Sequence, residues 1–219
     1  MKIIFYNIIL LATITVSAQN TRDLIGDLSS QTGRSLYIRP NITDPTIQKH
    51  YINSELKRVN VEGIEGVNKL RYNGFTDQME FEKGNEVLNL NRNETIQIKF
   101  LHNESIFKIF NYLDDKGNIQ NRYLEILIDH PSKYSLYKSF EVSNIPNDNK
   151  NGYQSNDDFK QKIEKNYFIG HNGLINQIPR SSKKINEIFN ADFDQIIKSN
   201  KINLKKEEDL KKLIDLLNK

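Results

Sequence analysis

The sequence predicts an α+β chain: a mainly antiparallel β-sheet, a meander that is curved or partly closed, followed by two or three short C-terminal helices. Three observations predict it. Between residues 57 and 142, short apolar runs with period-two alternation recur every ten to fifteen residues, each pair separated by a polar turn. No long helical pattern lies between these runs to carry parallel crossovers. After Pro179 the apolar period changes to that of a helix.

The elements follow in order. Residues 36–38 predict a short strand inside an otherwise irregular arm, 19–56, with turn chemistry at Arg39-Pro40-Asn41 and Asp44-Pro45. Residues 57–62 form the next strand, with Val59 and Val61 on one face. Residues 69–72 follow and end at Asn73-Gly74, a strong turn signal. In 78–82, Met79 and Phe81 point inward, while Glu80 and Glu82 are expected to face water. Strands at 87–90, 96–100, 106–113, 123–128 and 134–142 complete the β region, 57–142. The stretch 143–158 is almost wholly polar and predicts a loop. A hairpin then pairs 167–170 with 174–178, its tip at His171-Asn172-Gly173. The remaining chain predicts a helical cap. Ile185, Ile188 and Phe189 follow Ser181 or Ser182 as N-cap, and Phe193, Ile196 and Ile197 follow Asn190. A third helix, from about Lys205, carries Leu210, Leu213, Ile214 and Leu217 on one face.

The beginning of the chain carries a different signal. Met1-Lys2, a mostly apolar run and Val16-Ser17-Ala18 together predict a secretory signal peptide over 1–18, too short to span a membrane. Its removal leaves 219 − 18 = 201 residues, enough to bury a core. Cysteine is absent, so an exported product holds together by packing alone, without disulfides or a lipid-bearing cysteine. That usage, rich in Asn, Lys and Ile, points to a low-GC bacterial source. The expected location is periplasmic or secreted, with no transmembrane segment in the mature chain. A formal charge of +3, from 31 basic and 28 acidic residues, argues against a nucleic-acid partner.

Chemistry-bearing motifs are sparse. The four histidines, His50, His102, His130 and His171, are scattered without metal-ligand spacing, so no metal is expected. Neither phosphate-binding glycine motif occurs, and no cofactor is expected. Asp129-His130 ends a strand where a base could sit, but a polar strand terminus before Pro131 accounts for it. No serine sits in a nucleophile-elbow pattern. A carboxylate pair for sugar hydrolysis could arise from Glu62, Glu80, Glu82 or Glu125, but nothing in the pattern favours it. Asp114-Asp115-Lys116-Gly117-Asn118 is expected to be a hairpin turn and not a calcium loop. Asn93-Glu94-Thr95 and Asn103-Glu104-Ser105 read as turns. No catalytic, cofactor-binding or metal residue is therefore assigned.

Leu70-Arg71-Tyr72-Asn73 with Asp77-Gln78-Met79-Glu80-Phe81, together with the tail from Asn200 to Leu210, resembles a group of small exported proteins of Bacteroidota-type bacteria. The likeness runs through residues 57–219 in order of elements. The group has no assigned biochemical activity, so the resemblance implies a periplasmic or secreted location and transfers no site residue. The expectation is a non-enzymatic binding or scaffolding protein of the cell envelope, its partner a protein or other envelope component. Tyr112, Tyr123, Tyr134 and Tyr137 are the expected partner surface. Two alternatives are a small-molecule carrier with an apolar β-cup, and a hydrolase with a site assembled from distant residues around His130.

Overall fold

The computed structural model describes residues 37–38, 51–52, 55–63, 68–83, 86–146, 159–179, 181–189 and 193–219. Residues 1–18, expected to be a signal peptide, and most of the expected N-terminal arm lie outside these residues, as do 147–158 and Asn190. Eleven strands and three helices are described. The strands are β1 (Tyr37–Ile38), β2 (Lys57–Val61), β3 (Asn68–Asn73), β4 (Gln78–Lys83), β5 (Glu86–Leu90), β6 (Gln97–Phe100), β7 (Ile106–Leu113), β8 (Ile119–Ile128), β9 (Ser135–Pro146), β10 (Phe159–His171) and β11 (Leu174–Gln177). The helices are α1 (Ser182–Phe189), α2 (Phe193–Ser199) and α3 (Glu207–Leu217). None of them is long and apolar enough to cross a membrane. The α+β class, the meander and the terminal helices are as the sequence predicts.

The strand order is β1-β5-β4-β3-β2-β6-β7-β11-β10-β9-β8, and β8 also pairs with β7. The last five strands therefore close on themselves as a small barrel. β7 is shared. Its N-terminal end pairs with β6, and its last residue, Leu113, pairs with Asn176 of β11. That closing pair is parallel, because a meander of five strands brings its first and last strands together in the same direction. All other strand pairings are antiparallel.

The main differences from the sequence reading lie at three strand boundaries. β8 begins at Ile119, not near residue 123, and β10 begins at Phe159, not near residue 167. Apart from Ile119, Phe159 and Ile163, the residues added are polar. β9 and β10 pair continuously from Ser135↔Gly170 to Pro146↔Phe159, so residues 143–146, expected in the loop, are strand. Backbone pairing holds this ribbon where no apolar alternation marks it.

Three apolar cores result. The first lies within the meander and against β7 and β8, and includes Val59, Leu70, Met79, Leu88, Ile98 and Phe107. The second fills the barrel lumen: Tyr112, Leu124, Tyr137 and Phe168, with Phe110, Ile126 and Ile175 packed against them. The third lies under the helices, where Leu136 and Ile169 meet Ile185, Phe193, Leu210 and Ile214. Each large apolar side chain so buried contributes about 1.5–3 kcal/mol. The end of α3 is tied down by a reciprocal pair: the Tyr134 N–H donates to Asn218 Oδ1 at 2.9 Å, and Asn218 Nδ2 donates to the Tyr134 carbonyl at 2.9 Å.

β8 and β9 pair only from Glu125 to Ile128 and then part. The β3–β4 turn fills the split. The Gly74 carbonyl accepts from the Val142 N–H of β9 at 3.2 Å, and Asp77 accepts from the Tyr123 N–H of β8 at 3.2 Å. Asp77 also accepts from Tyr72 Oη and Arg92 Nη1, each at 2.7 Å. Its backbone is left-handed, φ 55°, a conformation that aspartate tolerates. A Cβ on Gly74 would lie 2.8 Å from Val142 Cγ2, so only glycine lets the turn enter this closely. The wedge joins the meander to the barrel.

Candidate functional site: a polar groove at the barrel mouth

Side chains on a strand alternate between faces, so the rows facing the lumen can be followed along each strand. On β8 the row runs Gln120, Arg122, Leu124, Ile126, and on β9 it runs Tyr137, Ser139, Glu141. On β10 it runs Glu164, Asn166, Phe168, and on β11 Ile175 precedes Gln177. The apolar members fill the lumen. The polar members, apart from the buried Ser139, line an open groove of about 810 Å³ at the mouth, walled also by the β7–β8 turn and by Leu204 and Lys205 ahead of α3.

The groove floor is Tyr112, whose ring packs against Phe168 with centroids 4.5 Å apart. Burial raises its phenol above the ordinary value, against the opposing charge of Arg122. Arg122 lies 3.6 Å from Asp77 Oδ1 through Nε and 3.9 Å from Glu141 Oε2 through Nη1. Its Nη2 donates to the Phe140 carbonyl at 3.4 Å. The buried Arg122 Nε makes no hydrogen bond, nor does the Oγ of Ser139, which is 1% exposed. Glu141 is about half exposed, at 51% of its side chain. The β7–β8 turn is held by Asp114, whose carboxylate accepts from the N–H groups of Lys116 at 2.9 Å and Asn118 at 2.8 Å. Those bonds, the Asn118 one foremost, pull its carboxyl below the usual range. This is the turn chemistry the sequence predicts at 114–118.

The expected tyrosine surface does not form. Tyr112 and Tyr137 are 7% exposed and sit in the lumen, and Tyr123 is 2% exposed in the meander core. Tyr134 is half-buried under the helices, its ring stacked on His171 at 4.1 Å. The rings satisfy the apolar rows of a closing sheet, so they are spent on packing. Of the four, only Tyr112 touches the groove.

The carrier and hydrolase alternatives fare as follows. The barrel interior is occupied by side chains, which removes the apolar cup that a carrier requires. His130 is exposed; its N–H donates to Ser135 Oγ at 2.9 Å and its carbonyl accepts from the Lys133 N–H at 3.0 Å. Among the described residues, no hydrogen bond or ion pair joins its imidazole to a carboxylate or a hydroxyl. No three metal-binding side chains converge among those residues either. Asn93 and Asn103 make the expected turns, each accepting from the residue two positions on.

Glu80 departs from its expected exposure. It is 3% exposed and accepts from Arg71 Nε at 3.1 Å and Asn73 Nδ2 at 2.8 Å. Tyr51, bridged to Asn73, covers that face; Arg71 lies 4.0 Å over its ring. Burial and the Glu80 charge push the Tyr51 phenol up to about 12. Glu125 is also engaged: Lys138, 7% exposed, lies 2.8 Å from Glu125 and 3.1 Å from Glu207 of α3. Glu62 and Glu82 are exposed. Glu80 and Glu125 are thus consumed by ion pairs and do not face each other across a cleft.

Sequence reasoning missed the groove because it ended two strands where their apolar runs ended. The signal was present: Gln120-x-Arg122-x-Leu124-x-Ile126 keeps period two while its polarity changes. Compared with known proteins, the chain matches no protein-family model, no curated protein and no solved structure.

Proposed function

We propose that this chain is exported, matures by loss of residues 1–18, and acts in the periplasm or outside the cell as a non-enzymatic binding protein, with the barrel-mouth groove as its binding surface. The observation that carries the reading is the groove itself: a concave volume of about 810 Å³ above a filled barrel lumen, lined largely by the polar side chains of the inward rows. Concave sites with a few fixed polar groups are where proteins hold ligands. The N-terminal segment and the resemblance to small exported proteins support the location.

The test has two arms. The intact mass of the protein recovered from the periplasm or medium is expected to correspond to a chain starting at Gln19. A cytosolic product starting at Met1 sinks the export half. A photo-crosslinking residue at Gln120, in the groove, is expected to trap an envelope component in producing cells. The same residue at Lys69, exposed on β3, is expected to trap none. Equal trapping at both sites, or trapping at neither, sinks the binding half.

A further inference from the structure

Resting on that groove, we infer that its ligand is a neutral, hydroxyl-rich molecule, a short oligosaccharide. Three observations carry this. First, the charge in the groove cancels: its four carboxylates are matched by four cations. A polyanion meets as much repulsion as attraction there, so nucleic acids and anionic glycans gain nothing. Second, the lumen beneath is plugged by Tyr112 and Phe168, so an acyl chain has no apolar slot to enter. Third, hydrogen-bonding groups of both kinds are on offer. Glu141 accepts, Arg122 donates, and the amides of Gln120, Asn166 and Gln177 do both. A sugar hydroxyl also donates and accepts, so neighbouring hydroxyls can satisfy this mixture, which a carboxylate cannot.

The surroundings of Arg122 strengthen the third point. Asp77 and Glu141 already share the Arg122 charge from 3.6 and 3.9 Å, so the acceptor it takes best is neutral. A hydroxyl oxygen meets that requirement. The volume lies within the roughly 300–1,000 Å³ of ordinary ligand sites, large enough for more than one sugar ring.

The experiment is an amide-resonance titration of the exported, ¹⁵N-labelled protein with separate probes: neutral maltotetraose, cellotetraose and chitotetraose, anionic tetragalacturonate, and tetra-alanine. At least one neutral tetrasaccharide is expected to bind with millimolar or better affinity, shifting Gln120, Arg122, Glu141 and Asn166 together. Glu141→Ala, at a half-exposed position that folding tolerates, is expected to weaken binding about tenfold. Asn166→Ala is expected to weaken it in the same sense. Binding that ignores both variants overturns the site. Tetragalacturonate binding more tightly than every neutral probe overturns the neutral class. Tetra-alanine shifting the groove residues while all sugars stay silent overturns the saccharide and leaves the binding reading intact. Silence from all probes overturns the saccharide too, and the crosslink at Gln120 then decides the binding reading separately.

Discussion

Along the inward rows of the barrel, Leu124 and Ile126, Tyr137, Phe168 and Ile175 give way to Gln120 and Arg122, Glu141, Asn166 and Gln177. The strands and their alternation are the same at both ends; what differs is whether the opposite wall arrives. In the lumen the rows meet across a short distance, and ring packs on ring: Phe110 on Tyr137 at 4.8 Å, Tyr112 on Phe168 at 4.5 Å. Gly170 makes room there, since a Cβ on it would stand 2.8 Å from the Tyr137 ring. At the mouth β8 and β9 have parted, and the space between the walls admits solvent. The split needs hydrogen-bond partners for strand N–H groups that have lost theirs, and Asp77 and the Gly74 carbonyl supply them. One barrel therefore spends apolar area at its closed end and charge at its open end. Stability resides in the former, and the groove in the latter.

Substitutions at the two ends should separate these roles. Phe168→Ala, at the closed end, is expected to cost about 3–5 kcal/mol, read as a lower urea midpoint at unchanged slope. A loss below about 1 kcal/mol would mean that the lumen is not the packed core it is here taken to be. Asp77→Ala is expected to cost a similar amount, about 3–5 kcal/mol, because Arg92, Arg122 and the Tyr123 N–H lose one shared acceptor. Asp77→Asn keeps an acceptor oxygen and is expected to cost less. If the two variants proved equal, charge and not hydrogen bonding would hold the split.

Acid should reach the helical cap before the lumen. Glu207, at the start of α3, pairs with Lys138 and Lys211 at 3.1 and 3.0 Å. Burial raises its carboxyl, but the two lysines outweigh burial and hold it below the ordinary glutamate value. A carboxyl lowered in the folded state stabilises above its unfolded pKa. That contribution fades as pH falls through the folded value, where the unfolded chain has already taken up its proton. Hydrogen exchange of α3 is therefore expected to quicken below the usual glutamate range, and Glu207→Gln to flatten that dependence. An α3 indifferent to acid would discount the pair. The smallest effect belongs to the mouth. Glu141→Ala is expected to leave stability within about 0.5 kcal/mol, as exposed positions do, while altering ligand binding. A large loss of stability there would join the groove to the core and end the contrast.

Much of this was legible residue by residue. Period two marked Met79 and Phe81, and Ile98 and Phe100, as inward pairs, and all four are buried. Period 3.6 marked Leu210, Leu213 and Ile214, likewise buried. Asn73-Gly74 announced the turn, but not that it would be a wedge between two strands distant in sequence. Glu80 was misread for a related reason: alternation says which residues share a face, not what lies over that face. The same gap misplaced Tyr112, Tyr123 and Tyr137, whose rings suit an interface or a core equally well.

Local patterns of polarity and turn chemistry are short-range, and they pointed to the α+β class, the mainly antiparallel sheet and two or three short terminal helices. Closure of five strands through Leu113 and Asn176, the Asp77 wedge and the change of the inward rows from lumen to groove depend on pairings between segments dozens of residues apart. Such contacts follow from the geometry of the assembled sheet, where a strand's backbone partner, and not its own hydropathy, decides whether a polar residue is buried, paired or left facing a ligand.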